Sequence, residues 1–284
     1  MKAVKSPSDH VSDKTSASAD PRIRGEGESD PLFVEALARG LKVLQCCGRS
    51  DVPLTVTQIV RETGLTQSTV WRMCHTMVTL GFLERTHENR VRPGLPLLDL
   101  GYAALSRRPL ADLARPGMEK LASQFAGAVS LGVRDGMEMI YLERIEGGSI
   151  IFTGLRTGSR VSLLATAMGW GYLAGISMES RASILETTRQ RMPQEFARVI
   201  DRLQAAISDF PTKGYVLNTG VLHPEINAIG IPLLQEGKEP AACLSFGGSS
   251  SIFSPHRLET EIAPRLIELA KSLAIRQPSV VGVK

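Results

Sequence analysis

The sequence predicts an α+β protein in two parts: an N-terminal winged helix-turn-helix domain and a larger C-terminal domain with a mostly antiparallel sheet, joined by a linker helix. Three observations predict it. A helix, a glycine corner and a second helix at 54–83 run straight into a short basic hairpin. Strand-like runs separated by turn signals fill 129–246. Apolar residues at helical spacing bracket those runs, at 110–125 and 255–275.

The composition suits a globular chain. Of 284 residues, 43% are hydrophobic and 22% charged. No stretch approaches the ~18 consecutive apolar residues of a membrane helix. The first thirty residues lack a signal peptide's apolar core, so the expected location is the cytoplasm. That segment, 1–30, is rich in Ser, Asp, Lys, Gly and Pro and is expected to form a disordered tail. A second short tail is expected at 277–284. The formal charge is +4. Residues 31–93 carry eight Lys and Arg against five Asp and Glu, whereas 94–284 carry twenty against eighteen. The basic excess is thus densest over the predicted helix-turn-helix, as a polyanion partner requires.

The first helix is marked by Phe33, Leu37, Leu41 and Leu44, which recur on one face, and by Gly48, which ends it. Thr55 or Thr57 caps the next helix, which runs to about Thr63. Gly64 breaks it, Leu65 plugs the corner and Thr66 caps a third helix that continues to Leu80. Gly81 ends that helix. On the third helix Val70, Met73, Met77 and Leu80 form an apolar face with Cys74 at its edge, while Ser68, Arg72, His75 and Thr79 lie opposite. The polar face offers hydrogen-bond donors and a guanidinium, with no carboxylate to repel phosphate. Gln67, Ser68, Thr69, Arg72, His75 and Thr76 are therefore the candidate major-groove contacts on double-stranded DNA. A strand at 82–85, a polar turn at 86–89 and a return strand at 90–92 form the wing. Arg85, Arg90 and Arg92 on it are candidate phosphate or minor-groove contacts.

The DNA-binding domain so defined covers 31–93. The linker helix covers 94–109 and ends at Pro109. The second domain covers 110–276. It opens with an amphipathic helix at 110–125 carrying Leu113, Met118, Leu121 and Phe125. A strand at 129–133, the turn Asp135-Gly136 and a partner strand at 137–144 make a hairpin. A third strand is expected at 149–155, a loop at 156–166 and a short helix of small residues at 167–175. Helices follow at 181–186 and 194–210. Strands are expected at 216–217, 226–234 and 240–246, the last two joined by a turn at 236–238. A helix at 255–275 closes the domain with Leu258, Ile262, Leu266, Leu269 and Leu273 on one face.

Several ordered segments resemble the IclR family of transcription regulators. Residues 33–44 are similar to its opening helix, and 54–83, including Thr-Gly-Leu-Thr-Gln-Ser-Thr-Val at 63–70, to its helix-turn-helix. Leu-Asp-Leu-Gly-Tyr at 98–102 resembles its linker. Leu-Ala-Thr-Ala-Met-Gly at 164–169 resembles its small-residue turn, and Gly214-Tyr215 and Ile-Gly-Ile-Pro at 229–232 its later segments. The resemblance spans residues 31–276. It implies a GAF-like effector-binding domain, an operator as DNA partner, and a homodimer pairing through the DNA-binding domains, in some members a tetramer. It also implies a small organic effector, often an aromatic or carboxylic acid, acting on a catabolic operon in a repressor or an activator. Carried onto this chain, the effector pocket involves Ile150, Thr153, Ala167, Met168, Asn218, Ala228, Ser245 and Gly247. Small residues at such a turn leave backbone N–H groups open to a carboxylate.

The sequence departs from the family at Trp170, where many relatives carry Arg or Lys, which suggests a more aromatic pocket wall. Arg156 and Arg160 flank the loop over the pocket and could hold an anionic effector. His223 could contact the effector as well. An enzyme is the alternative reading, with the helical domain as a partner module. It finds no Gly-x-Ser-x-Gly elbow, no phosphate loop, no dinucleotide fingerprint and no metal-ligand spacing. A packaging protein would need more charge and would have no use for the large second domain. No cofactor, metal or catalytic residue is expected. Cys46, Cys47, Cys74 and Cys243 form no Cys-x-x-Cys pair, and the adjacent Cys46 and Cys47 read as buried or half-buried thiols.

Overall fold

The structure, a computed structural model, describes residues 32–106, 109–148, 154–234 and 239–276. The expected tails at 1–30 and 277–284, the turn at 236–238, Ile150, Thr153 and most of the expected strand at 149–155 lie outside the described residues. The chain divides into two compact units after Tyr102.

The first unit is built on local signals. Helix α1 (Glu35–Arg49) leads to α2 (Val56–Thr63) and α3 (Gln67–Thr79). Thr55 begins α2 with a reciprocal capping box. The Gln58 N–H donates to Thr55 Oγ1 (3.2 Å) and the Thr55 N–H donates to Gln58 Oε1 (2.8 Å). Gly64 ends α2 in the left-handed region at φ 70°. Thr66 caps α3 by accepting from the Thr69 N–H. Strands β1 (Leu83–Arg85) and β2 (Val91–Pro93) pair as the wing, and Leu54 bridges to Val91 on the wing's inner side.

Val43, Cys47, Ile59, Val70, Cys74, Met77, Leu83 and Val91 form this unit's core. Two sequence expectations change here. Cys74 sits in the core rather than at its edge, while Leu80 is 61% exposed. On α1 the core side carries Val43 and Cys47, while Leu37 and Leu41, with Phe33 just before the helix, face solvent. Spacing alone identified an apolar face but not what it meets. Burial pushes the Cys47 thiol up to about 12, with smaller contributions from Cys74 and Cys46, so it stays a neutral core group. Helix α4 (Pro96–Ser106) follows the wing and exposes Leu95, just before it, with Leu98, Leu100 and Tyr102.

The second unit is a six-stranded antiparallel sheet covered on both faces by helices. Its elements are α5 (Leu110–Phe125), β3 (Ala128–Asp135), β4 (Glu138–Glu146), β5 (Arg160–Ser162), α6 (Ala167–Gly175), α7 (Met178–Arg191) and α8 (Pro193–Lys213). Then come β6 (Val216–Thr219), β7 (Ile226–Pro232), β8 (Cys243–Ser249), and α9 (Pro255–Arg257), which passes through a π turn at Leu258–Ile262 into α10 (Ala263–Arg276). The strand order is β5-β4-β3-β8-β7-β6. Helices α5 and α10 pack on one face, and α6 on the other, backed by α7 and α8.

Alternation along the strands sorts side chains to the two faces. Val129, Leu131 and Val133 of β3, Ile229 and Ile231 of β7, and Leu244 and Phe246 of β8 join the α5–α10 core. Their neighbours Ser130, Ala228, Gly230, Ser245 and Gly247 fall on the α6 side. Strand β4 breaks this parity. Its register against β3 shifts between Leu131↔Glu143 and Gly132↔Tyr141, a bulge that adds one residue to β4. Ile140, Leu142 and Ile145 therefore all meet the α5–α10 core.

The sheet differs from expectation at its edge. Residues 160–162, read as loop, form β5, held by Arg160, which pairs with Asp135 at 2.9 Å and with Glu138. Helices α7 and α8 are longer than expected, and α8 continues through Pro211. Strand β8 starts at Cys243 rather than Pro240 and runs on to Ser249.

Helix α6 lies close on the sheet because Gly230 offers no side chain beneath it. A Cβ there would stand 1.9 Å from the Ala167 carbonyl oxygen. Gly230→Ala is expected to cost about 2–3 kcal/mol and to lower the melting temperature by about 5–10 °C. Thermal unfolding followed by circular dichroism checks this; an unchanged midpoint would show that α6 can lift away freely.

Candidate DNA-binding face and effector pocket

In the first unit, Gln67, Ser68, Arg72, His75 and Thr76 of α3 are exposed on the side away from the core. Thr69 is half-buried, and its hydroxyl is engaged with Thr66 Oγ1 at 2.9 Å, so it belongs to the helix cap. Trp71, absent from the sequence-derived set, is 52% exposed. It stacks on His75, with ring centroids 5.5 Å apart and planes 6° from parallel. The i, i+4 spacing of two aromatic rings was the signal that could have found it.

On the wing, each predicted arginine already has a partner. Arg85 donates to Asn89 Oδ1. Arg90 pairs with Glu88 at 3.0 Å. Arg92 pairs with Glu84 at 2.9 Å. All three remain at least partly exposed, so a phosphate could exchange with these weak surface partners.

In the second unit, strand register assembles a pocket on the α6 side of the sheet. One cross-strand row runs from Arg144 on β4 through Ser130 on β3 to Ser245 on β8. The next runs from Glu146 through Ala128, Gly247 and Ala228 to Asn218 on β6. The two rows and the start of α6 enclose an open pocket of about 80 Å³. Small residues in the second row provide the room. Ala165, Thr166, Ala167 and Met168 form one wall. Thr166 Oγ1 caps α6 by accepting from the Gly169 N–H at 3.1 Å. The N–H groups of Ala167 and Met168 have no acceptor within the helix, and the helix dipole makes this end electropositive. The Asn218 amide donates to the Ala165 carbonyl at 3.2 Å and ties β6 to that wall.

The β4 bulge brings Tyr141 and Arg144 to the same wall, although their spacing in an unbroken strand would place them on opposite faces. The Arg144 guanidinium lies 5.6 Å from the Tyr141 ring centroid. It donates to Glu146 and Ser130. Burial raises the Tyr141 pKa, against the lowering effect of Arg144, so the phenol stays protonated.

Two family descriptions match this chain. "IclR helix-turn-helix domain" matches residues 36–87, and "Bacterial transcriptional regulator IclR C-terminal" matches residues 102–275. The chain belongs to the IclR family.

A solved IclR family regulator of Brucella abortus is 33% identical and superposes with a TM-score of 0.75, over 90% of this chain and 97% of that one. The HTH-type transcriptional regulator TsaQ1/TsaQ2 of Comamonas testosteroni is 25% identical over 90% of this chain and 95% of its own length. An IclR homologue of Microbacterium hydrocarbonoxydans, solved in complex with 4-hydroxybenzoate, is 25% identical with a TM-score of 0.66, over 84% of this chain and 96% of that one. The protein is thus an IclR-type, ligand-responsive transcription regulator rather than an enzyme. No helix among the described residues is long and apolar enough to cross a membrane. No group of three or more metal-ligating side chains occurs among them either.

Ala167, Met168, Asn218, Ala228, Ser245 and Gly247 all line the pocket, as the resemblance implies; Ile150 and Thr153 lie outside the described residues. Three other expectations are corrected. Trp170 is 1% exposed and does not line the pocket. It is a core residue of the α6 side, and its indole N–H donates to the Leu164 carbonyl at 2.6 Å. Arg156 and Arg160 do not line the pocket either, and Arg160 serves the β5 edge. The pocket's guanidinium is Arg144, which sequence reading missed because β4 looked like an uninterrupted strand. His223 accepts from the Glu225 N–H at 3.4 Å and is not a pocket residue.

Trp170→Phe keeps most of the buried volume and removes the indole donor. The expected loss is about 1–2 kcal/mol, seen in chemical denaturation. An unchanged denaturation midpoint would mean the Leu164 carbonyl finds another donor.

Proposed function

We propose that this regulator controls a catabolic operon for an aromatic compound or small organic acid, as a homodimer that binds an operator and releases or grips it according to effector occupancy. The observation that carries the effector half is the pocket itself. It is floored by small residues and walled by a helix N-terminus and a half-buried guanidinium, a constellation suited to a carboxylate. The complex of a relative with 4-hydroxybenzoate supports the same class of ligand. The working parts are taken as a DNA-binding domain over 31–93, a linker over 94–109 and an effector-binding domain over 110–276. An effector switches such a protein only through different affinity for its two states. Location in the cytoplasm, with the DNA, goes with this reading.

Gln67, Ser68, Arg72, His75 and Thr76 read bases or the adjacent backbone in this proposal, Thr69 holds the helix cap beside them, and Arg85, Arg90 and Arg92 contact phosphates. Operator fragments selected from genomic DNA, with binding followed by anisotropy across a salt series, test it. Arg72→Ala is expected to cost about 1–3 kcal/mol on operator DNA and to relax preference at one base pair. Arg85→Ala is expected to flatten the log–log salt slope by about 0.9. Equal losses on random DNA for Arg72→Ala would remove its base-reading role.

The exposed apolar residues Leu37 and Leu41 on α1, with Phe33 just before it, support pairing of two copies through the DNA-binding domains. Leu37→Glu is expected to shift the protein to monomer in analytical ultracentrifugation while circular dichroism stays unchanged. A dimer retained by that variant would place the pairing elsewhere. A tetramer, if formed, should survive that variant as dimers joined through the second unit.

A further inference from the structure

The Arg144–Glu146 pair is built unlike an ordinary structural ion pair. An arginine and a carboxylate frequently meet fork to fork, two donors on two oxygens. Here Arg144 Nε and Nη2 both donate to the single oxygen Glu146 Oε1, at 3.1 and 2.9 Å. A third donor, Nη1, goes to Ser130 Oγ at 3.1 Å. A guanidinium has five N–H groups. Two therefore have no acceptor among the described residues, and Glu146 Oε2 has no donor among them. All of these groups border one cavity. The Arg144 side chain is 11% exposed and the Glu146 side chain 29%, so the pair stands in the wall of the pocket and within reach of what enters it. The Tyr141 ring fixes its position from one side.

We propose that Arg144 is the anchor for the effector's carboxylate and that Glu146 selects among acids, favouring a monocarboxylate with a hydroxyl or amino donor on the adjacent carbon. This inference rests on the effector reading of the same pocket. The unused guanidinium donors take the ligand carboxylate. Glu146 Oε2 lies on the neighbouring side chain, so it accepts from a donor only a bond or two away from that carboxylate. Glu146 also leaves the pair neutral when no ligand is present. A second carboxylate on the effector would meet its negative charge and be disfavoured. Ser130 supplies orientation, and the small residues Ala128 and Gly247 leave space for the rest of the molecule.

Acetate and glycolate (2-hydroxyacetate) are the minimal probes, differing by one hydroxyl. Each is titrated into the full-length protein while the arginine Nε–H resonances are followed by NMR, with Arg144 assigned from Arg144→Lys. Both anions are expected to shift the Arg144 resonance saturably, glycolate about 5- to 10-fold more tightly. In Glu146→Ala, acetate is expected to tighten and the glycolate advantage to fall below about twofold. Arg144→Met, which lacks the Arg144 resonance and is titrated by isothermal calorimetry beside the wild type, is expected to weaken both by about tenfold or more. An Arg144 resonance that neither anion moves, equal affinity of wild type for the two, or unchanged affinity in Arg144→Met would each overturn the proposal. The Glu146→Ala comparison and the wild-type titration keep it testable if Arg144→Met folds poorly. Operator binding is measured on the same samples. The regulator reading fails only if the protein does not discriminate operator from random DNA, whatever the anions do.

Discussion

The approach of α6 to the sheet is the constraint on which the second unit depends. Backbone meets backbone there. Gly230 faces the Ala167 carbonyl, and a Cβ on Gly171 would come within 2.7 Å of Cys243 Sγ. At Gly230 no side chain separates helix from sheet, so the N-terminal turn of α6 can form a wall of a pocket floored by strand residues. Trp170 fills the space behind that turn and binds the Leu164 carbonyl. The N–H groups of Ala167 and Met168 are thereby held in a fixed place, which is what preorganised recognition of an anion requires.

The first unit works by a different logic. Its determinants are local: a capping box at Thr55 and Gln58, a left-handed glycine at Gly64, a hydroxyl cap at Thr66. Each acts within four residues, so sequence alone located both helices of the motif to within a residue or two. The same holds for the β3–β4 hairpin, where Asp135-Gly136 announced the turn, and for α6, whose bounds were legible in full. What sequence could not supply was tertiary. The stripe on α1 was visible as a stripe, but its exposure depends on where α2 and α3 pack. The edge strand β5 has three residues and exists because Arg160 meets two carboxylates brought by another hairpin. Trp170 looked like a ligand contact from its place in an aligned segment, while its burial is decided by which way α6 turns.

The pocket residues divide along the same line. The six described positions carried over from the family lie on the wall and floor, where the turn and strands are recognisable in one dimension. Arg144 was hidden because its orientation depends on register. The wing shows a related limit. Composition counted three free positive charges, and the folded hairpin gives each a partner. Each arginine therefore reaches a phosphate by exchanging Asn89, Glu88 or Glu84 for it at contact.

The extra residue in β4 makes ligand chemistry a matter of where the bulge sits as well as of residue identity. On the near side of the bulge Tyr141 faces the pocket; on the far side Arg144 and Glu146 do. Removing Leu142, the extra residue, would leave Tyr141, Arg144 and Glu146 all facing the pocket, because the pairs Gly132↔Tyr141 and Leu131↔Glu143 would then follow in unbroken alternation. Shifting the bulge past Glu146 with the sequence unchanged would instead turn Arg144 and Glu146 toward the opposite core and present Glu143 and Ile145 in their stead. What the cavity offers a ligand is thus set by where along β4 the pleat is broken, and a relative of the same fold can alter its cavity by moving that point while keeping its residues.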